Sequence, residues 1–271
     1  MKSFLMTLIT ACLLTAAPIT ITYAQNFDKA VKAYDPGDYT TAAKEFRLLA
    51  EKGDAGAQNI LGLMYDQGEG VTQDYVEAVL WHRLAAEQGD ADAQNNLGYM
   101  YSKGQGVPQN YTEAVRWYQL AAEQGHTSAQ FNLGYRYSKG QGAPQNYAEA
   151  VRWYRLAAEQ GDADAQNNLG YMYYKGQGVP QNYTEAVRWY QLSAKQGNAS
   201  AQFNLGYRYS FGEGVPQDYV LAHMWFNIAA ASGYENALKA RDLHASLMTS
   251  NQIAEAQQHA RDCMARGLKG C

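Results

Sequence analysis

The chain is poor in cysteine, in phenylalanine, in positive charge and in long apolar runs, and each shortage argues against a class of function. Its 271 residues include 3 cysteines and 5 histidines. Cys12 stands alone near the start; Cys263 and Cys271 together supply only half a tetrahedral shell, which argues against a metal site. Lysines and arginines number 22 against 26 acids, for a formal net charge of -4. That balance does not suit nucleic acid, whose phosphates call for a basic face. Beyond residue 24 no segment is apolar for long enough to cross a bilayer. Phenylalanine occurs 7 times against 22 tyrosines, so most aromatic surface ends in a polar tip, as suits half-buried or partner-binding faces. Hydrophobic content of 46% and charged content of 18% describe a folded chain rather than a disordered one.

The first 24 residues differ from the rest. Lys2 precedes an uncharged, largely apolar run from Phe4 to Ala17, Pro18 breaks it, and Thr22-Tyr23-Ala24 places small residues where a signal peptidase reads. This predicts a secretory signal over 1–24 and a periplasmic or secreted mature chain. An uncleaved anchor is the alternative, although the run is short and threonine-rich for a span. Lipidation at Cys12 fits less well, because the apolar run continues past it. Export makes a disulfide between Cys263 and Cys271 permissible; two free thiols on a frayed terminus are the other reading.

What the chain has in plenty is periodicity. Trp81, Trp117, Trp153, Trp189 and Trp225 stand 36 residues apart, as do Gly62, Gly98, Gly134, Gly170 and Gly206. Constant spacing without drift marks one supersecondary unit copied in tandem. Five units are cut at 54–89, 90–125, 126–161, 162–197 and 198–233. In the second, Ala93, Leu97 and Tyr101 share one helical face (helix A), and Ala114, Trp117, Leu120 and Ala121 share another (helix B). Asp90 is placed to cap helix A, Gly104 and Gly106 to end it, and Pro108 to forbid its continuation. Asn110 with Glu113 resembles a capping box for helix B, and Gly125 closes that helix. Glycine inside helix A costs about 1 kcal/mol relative to alanine; repeated in every unit, it implies a close approach of helix B.

Ala93, Leu97, Gly98, Tyr101, Gly104, Gly106, Val107, Gln109, Tyr111, Glu113, Ala114, Trp117 and Ala121 to Gly125 form a pattern that resembles the Sel1-like repeat, a relative of the tetratricopeptide repeat. It covers residues 54–233. The resemblance implies an all-α, right-handed solenoid of helix–turn–helix units that binds proteins or peptides, in bacteria often as an exported adaptor. Residues 27–53 read as a degenerate first unit with a shorter loop, Asp35-Pro36-Gly37-Asp38. Residues 234–271 read as a closing cap, with one helix from Glu235 to Met248 and another started by Thr249 and Gln252.

A second beat lies over the first. Residues 90–125 and 162–197 differ only at Ser102/Tyr174, Ala121/Ser193 and Glu123/Lys195. Helix A alternates Asn95, Phe131, Asn167, Phe203 and also Met100, Arg136, Met172, Arg208. Duplication of a two-unit block explains this, either as bare copying or as a surface that alternates along its ligand.

In tetratricopeptide-like solenoids helix A lines the concave side. The resemblance therefore puts Asn95, Phe131, Asn167 and Phe203 on the inner wall. Tyr99, Tyr135, Tyr171 and Tyr207 follow one turn on, with Tyr174 beside them and Lys103, Lys139 and Lys175 at the edge. Aromatic anchors with polar tips are hot-spot material; packing between units is the competing role for the same tyrosines. The histidines recur at no ligand spacing, and no phosphate-cradling loop or nucleophile elbow is present. Relatives that resemble β-lactam-handling proteins carry paired cysteines in each repeat, which this chain lacks. The expected function is a non-enzymatic, monomeric scaffold for a protein or peptide, with no cofactor, no metal, no nucleic acid and no membrane span after signal cleavage. A regulator of a membrane signalling or secretion partner and a cell-wall-active or β-lactam-handling hydrolase are the alternatives.

Overall fold

The computed structural model describes residues 27–34 and 37–271. The expected signal segment, Cys12, and Asp35 and Pro36 of the first loop lie outside them. The described residues are helical, without a strand, and fall into two compact units, one ending at Gln124 and the other beginning at Gly125. The first unit holds α1 (27–34), α2 (Tyr39–Ala50), α3 (Ala55–Gln67), α4 (Tyr75–Glu87), α5 (Ala91–Lys103) and α6 (Tyr111–Glu123). The second holds α7 (Thr127–Lys139), α8 (Tyr147–Glu159), α9 (Ala163–Lys175), α10 (Tyr183–Lys195), α11 (Ala199–Phe211), α12 (Tyr219–Ala231), α13 (Glu235–Ala245) and α14 (Ser250–Ala265). Each full repeat is an antiparallel pair, helix A then helix B.

The punctuation explains the regular lengths. Ala93 N donates to Asp90 Oδ1 at 2.7 Å, and His126 Nδ1 does the same work for Ala129 N at 3.1 Å. Gly104 ends α5 in the left-handed region, at φ 72°. Gln109 then staples the loop: its Nε2 donates to Ser102 O at 2.9 Å and to Tyr111 Oη at 3.1 Å. Asn110 Oδ1 accepts from the N–H groups of Thr112 and Glu113 and starts α6. The capping box occurs at Thr249 and Gln252, at the start of α14. The helix expected to reach Met248 stops at Ala245.

The mid-helix glycines seat an aromatic ring. A Cβ on Gly98 would lie 2.8 Å from the Tyr118 ring, and Gly62, Gly134, Gly170 and Gly206 face His82, Tyr154, Tyr190 and Phe226 in the same way. These five rings, one residue after each tryptophan, are buried. Burying such a ring gains roughly 2 kcal/mol, which outweighs the ~1 kcal/mol propensity cost of the glycine. The core therefore takes a tyrosine, histidine or phenylalanine from every repeat, beyond the Ala, Leu, Gly and Trp that the periodicity suggests. Leu120, expected on the buried face of helix B, is instead 38% exposed, and its counterparts Leu84, Leu156 and Leu192 are 37% to 40% exposed.

Successive repeats are joined by buried amides. Gln94 Nε2 donates to Ala86 O of the preceding helix B at 3.1 Å, while within its own repeat Gln94 Oε1 accepts from the exposed Gln124 Nε2 at 2.8 Å. Gln166, with Ala158 O and Gln196, repeats the arrangement in the second unit. The second loop glycine sets how closely repeats approach. Gly106 has φ 68°, and a Cβ there would fall 2.0 Å from Tyr75 O of the repeat before it. At the far end, α13 and α14 both pack on α12. Cys263, buried on α14, is joined to Cys271, with Cα atoms 5.7 Å apart.

Candidate partner-binding face

The residues proposed from sequence divide between the two units. In the first, Tyr99 is 46% exposed and Lys103 Nζ sits 5.6 Å from its ring centroid. Asn95 lies half-buried on the same helix. In the second, Tyr135 and Tyr171 are 37% and 43% exposed, with Lys139 at 5.7 Å from the first ring and Lys175 at 5.9 Å from the second. Each exposed tyrosine thus carries an ammonium group at the edge of its face, an arrangement that holds a long side chain in place without burying its charge.

Other residues of the row are committed to packing. Phe131 lies against the buried Tyr154, centroids 6.0 Å apart, and Phe203 against Phe226 at 5.7 Å and Tyr234 at 4.5 Å. The phenylalanines therefore line the floor of the face instead of alternating with tyrosines on its surface. Asn167 Oδ1 accepts from Asn204 Nδ2 of the next repeat at 3.1 Å. Asn59, at the equivalent position in the first unit, is buried and accepts from Asn96 and His82. These asparagines tie repeats together. Tyr174 is half-buried beneath Arg208, whose guanidinium carbon lies 3.9 Å from the ring centroid; Arg208 is also paired with Glu213.

Two cavities open on the helix A side of the second unit. The first, about 210 Å³, lies between α7 and α9 and is lined by Tyr135, Lys139 and Tyr171, with Ser138, Tyr154 and Asn168 among the groups beneath. Burial holds the Tyr154 phenol protonated, its pKa pushed up to about 12. The second, about 340 Å³, lies between α11 and α13 and brings Phe203 and Tyr207 together with Asn236, Lys239, Ala240 and Leu243. Tyr207 is half-buried and stacked on Phe211, which is 61% exposed. Sequence reasoning missed Tyr154, Asn168 and the whole contribution of α13. The signal for α13 was available: Leu243 and Leu247 stand 36 residues after Tyr207 and Phe211.

A larger cavity of about 550 Å³ lies beside the disulfide, with Leu221 and Met224 below and His259, Asp262 and Arg266 around it. One pair resembles a nucleophile and its base: Ser210 Oγ lies 2.5 Å from His244 Nε2, and His244 Nδ1 lies 2.6 Å from Ala240 O. Both side chains are sealed, at 2% and 4% exposure, so the pair fastens α11 to α13 and is out of reach of a substrate. Among the described residues no cluster of three or more His, Cys, Asp or Glu is placed to hold a metal ion, and no helix is long and apolar enough to cross a membrane.

The repeat pattern and the helix pairs that it encodes coincide with a known family. The Sel1 repeat model matches residues 55–90, 91–126, 127–162, 163–198 and 199–234, each one residue later than the cut made from sequence. The chain belongs to the Sel1 repeat family. A crystal structure of a protective antigen from uropathogenic Escherichia coli, described as displaying an SLR fold, is 37% identical with a TM-score of 0.80. The match covers 91% of this chain and 54% of the antigen, so the present chain spans about half the length of that relative. A Sel1 repeat protein from Oxalobacter formigenes is 34% identical with a TM-score of 0.77, covering 91% of this chain and 97% of the other. The comparison with curated proteins finds no match. Sel1 repeat proteins generally mediate protein–protein interaction, and tandem Sel1 repeats make an all-helical α-solenoid.

Proposed function

We propose that this Sel1 repeat chain is an exported, non-enzymatic scaffold that holds a protein or peptide along its helix A face. The observation that carries the reading is the exposure of Tyr99, Tyr135 and Tyr171, one per repeat and each edged by a lysine. Large rings left in water are costly for stability and useful for binding, where they bury much area at little entropic cost. Four of the five histidines support the non-enzymatic part: His82 is tied to Asn59, His223 to Asn227 and His244 to Ser210, and His126 caps a helix. The apolar run before Ala24 supports export.

The test is capture from the periplasmic fraction with wild-type chain and with Tyr135→Ala, Tyr171→Ala and Lys139→Ala combined. Phe131 is left in place because it packs on Tyr154. The triple variant is expected to keep its helical circular dichroism and to lose the specific partner band. An unchanged band would sink the helix A reading. A mature N-terminus at Gln25 checks export, and an intact Met1 in the exported fraction would refute cleavage.

A further inference from the structure

The two helix A cavities of the second unit are copies on the 72-residue beat. Tyr135 and Tyr171 of the first correspond to Tyr207 and Leu243 of the second, and Phe131, which packs on Tyr154 of the first lining, corresponds to Phe203. The groove between them, α9 against α11, is spanned by Arg208 over Tyr174 and by the bond from Asn204 to Asn167. Met172 thus leaves the first groove open where Arg208 bridges the next; at the second cavity the equivalent position is His244, bonded to Ser210 and buried.

The two cavities differ in chemistry. The first has phenol walls and an ammonium group, with Lys175 near by, and among the described residues its lining carries no carboxylate. The second is walled by Phe203, Tyr207 and Leu243 and continues into the most exposed apolar side chains of this end: Phe211 at 61%, Leu243 at 65% and Leu247 at 59%. Where earlier repeats place Lys139 and Lys175, the last two helix A positions hold Phe211 and Leu247. Lys239 stands at the rim of the second cavity, and the nearby Glu213 is already paired with Arg208.

We propose that the second unit reads an extended acidic segment of a partner protein through two anchors, an Asp or Glu carboxylate at Tyr135–Lys139–Tyr171 and a large apolar side chain at Phe203–Tyr207–Leu243. The proposal rests on the helix A face being the binding surface. Lys139, Lys175 and Lys239 give the face a positive character that the chain as a whole, at -4, does not have, and that charge selects an acidic ligand. Packed helices lie 8–10 Å apart, so two repeats separate the anchors by roughly 20 Å. An extended peptide rises about 3.3 Å per residue, which sets the two anchor residues about six positions apart.

The experiment selects a random 16-residue peptide display library on the purified full chain, then measures the enriched consensus peptide by fluorescence anisotropy. Enriched peptides are expected to pair an Asp or Glu with a Phe, Trp, Leu or Met four to eight positions away. Lys139→Ala with Lys175→Ala should weaken the consensus peptide at least fivefold and flatten its salt dependence. Leu243→Asp should weaken it at least tenfold. Both sites are exposed, so circular dichroism should not change. Peptides lacking acids, peptides indifferent to Leu243→Asp, or no enrichment at all would each overturn the two-anchor proposal. Peptides indifferent to Tyr135→Ala with Tyr171→Ala as well would show that the helix A reading itself has failed.

Discussion

His82 makes the stability of the first unit depend on pH. Its imidazole is buried against Gly62, Nδ1 lies 2.9 Å from Asn59 Oδ1, and burial pushes its pKa down from 6.5 to about 4. The unfolded chain therefore binds more protons than the folded one below pH 6.5, and stability rises with pH in that range. The stabilisation is complete above about pH 7 and is lost as the pH falls from 6.5 to 4. At about 1.4 kcal/mol per pH unit the whole window is worth about 3 kcal/mol, of which about 2 kcal/mol is gone by pH 5. His82→Tyr supplies the control, since Tyr118 occupies the equivalent place on Gly98. His223, also held below its ordinary value by burial, contributes with the same sign and cancels between the two chains. Urea titrations at pH 7.5 and 5.0, with hydrogen exchange read at α3 and α4, should show the wild type losing about 2 kcal/mol more than the variant. Parallel losses would refute the claim that a neutral, buried His82 sets this dependence.

Two further perturbations test the packing. Gly106→Ala demands both a left-handed alanine and space at Tyr75 O, and should cost roughly 3 kcal/mol or more. Gly89→Ala, at φ 96° in open space, should cost about 1–2 kcal/mol in urea unfolding; equal losses would show that Gly106 does not set the approach of repeats. Replacing Cys263 and Cys271 with serine, or adding a reductant, removes a constraint over eight residues worth about 2.5 kcal/mol by loop-closure entropy. Thermal melting with exchange at α14 measures it, and an unchanged melt would mean that burial of Ala260 and Cys263 alone docks that helix.

The helices were legible because capping residues, loop glycines and apolar spacing recur together, so errors in one repeat are corrected by four others. The faces were less so. Tyr99 and Tyr101 recur in most of the other repeats and Tyr118 in two of them, yet Tyr99 is exposed, Tyr101 accepts from Arg83 Nη2 at 2.7 Å and Tyr118 is buried on Gly98. Tyr99 and Tyr101 are two residues apart on a helix and so point to nearly opposite sides. A period reports copying and leaves open which side each copy faces. The buried ring after each tryptophan could have been inferred by asking what fills the space that the mid-helix glycine leaves. The role of Gln94 could not, because it looks like a solvent-facing amide until Ala86 O of the preceding repeat is in place.

The same reasoning separates affinity from register. A side chain repeated every 36 residues offers a ligand identical contacts at each step, so the tyrosine row by itself leaves a bound segment free to slide by one repeat. Only positions that differ between repeats can fix where the segment stops. On the helix A side those include Phe131 against Asn167, Ser138 against Tyr174, Met172 against Arg208, Lys175 against Phe211, and Tyr207 against Leu243. Most lie from the fourth repeat to α13, where the face turns from ammonium-edged to apolar. A segment that slid one repeat toward the C-terminus would set its carboxylate beside Lys175 in the groove bridged by Arg208 and Tyr174, and one repeat further against Phe211. The first step has Lys175 but meets the Arg208–Tyr174 bridge; the second costs the desolvation of a charge with no lysine in the equivalent place to receive it. The register is therefore set at the end where the periodicity fails.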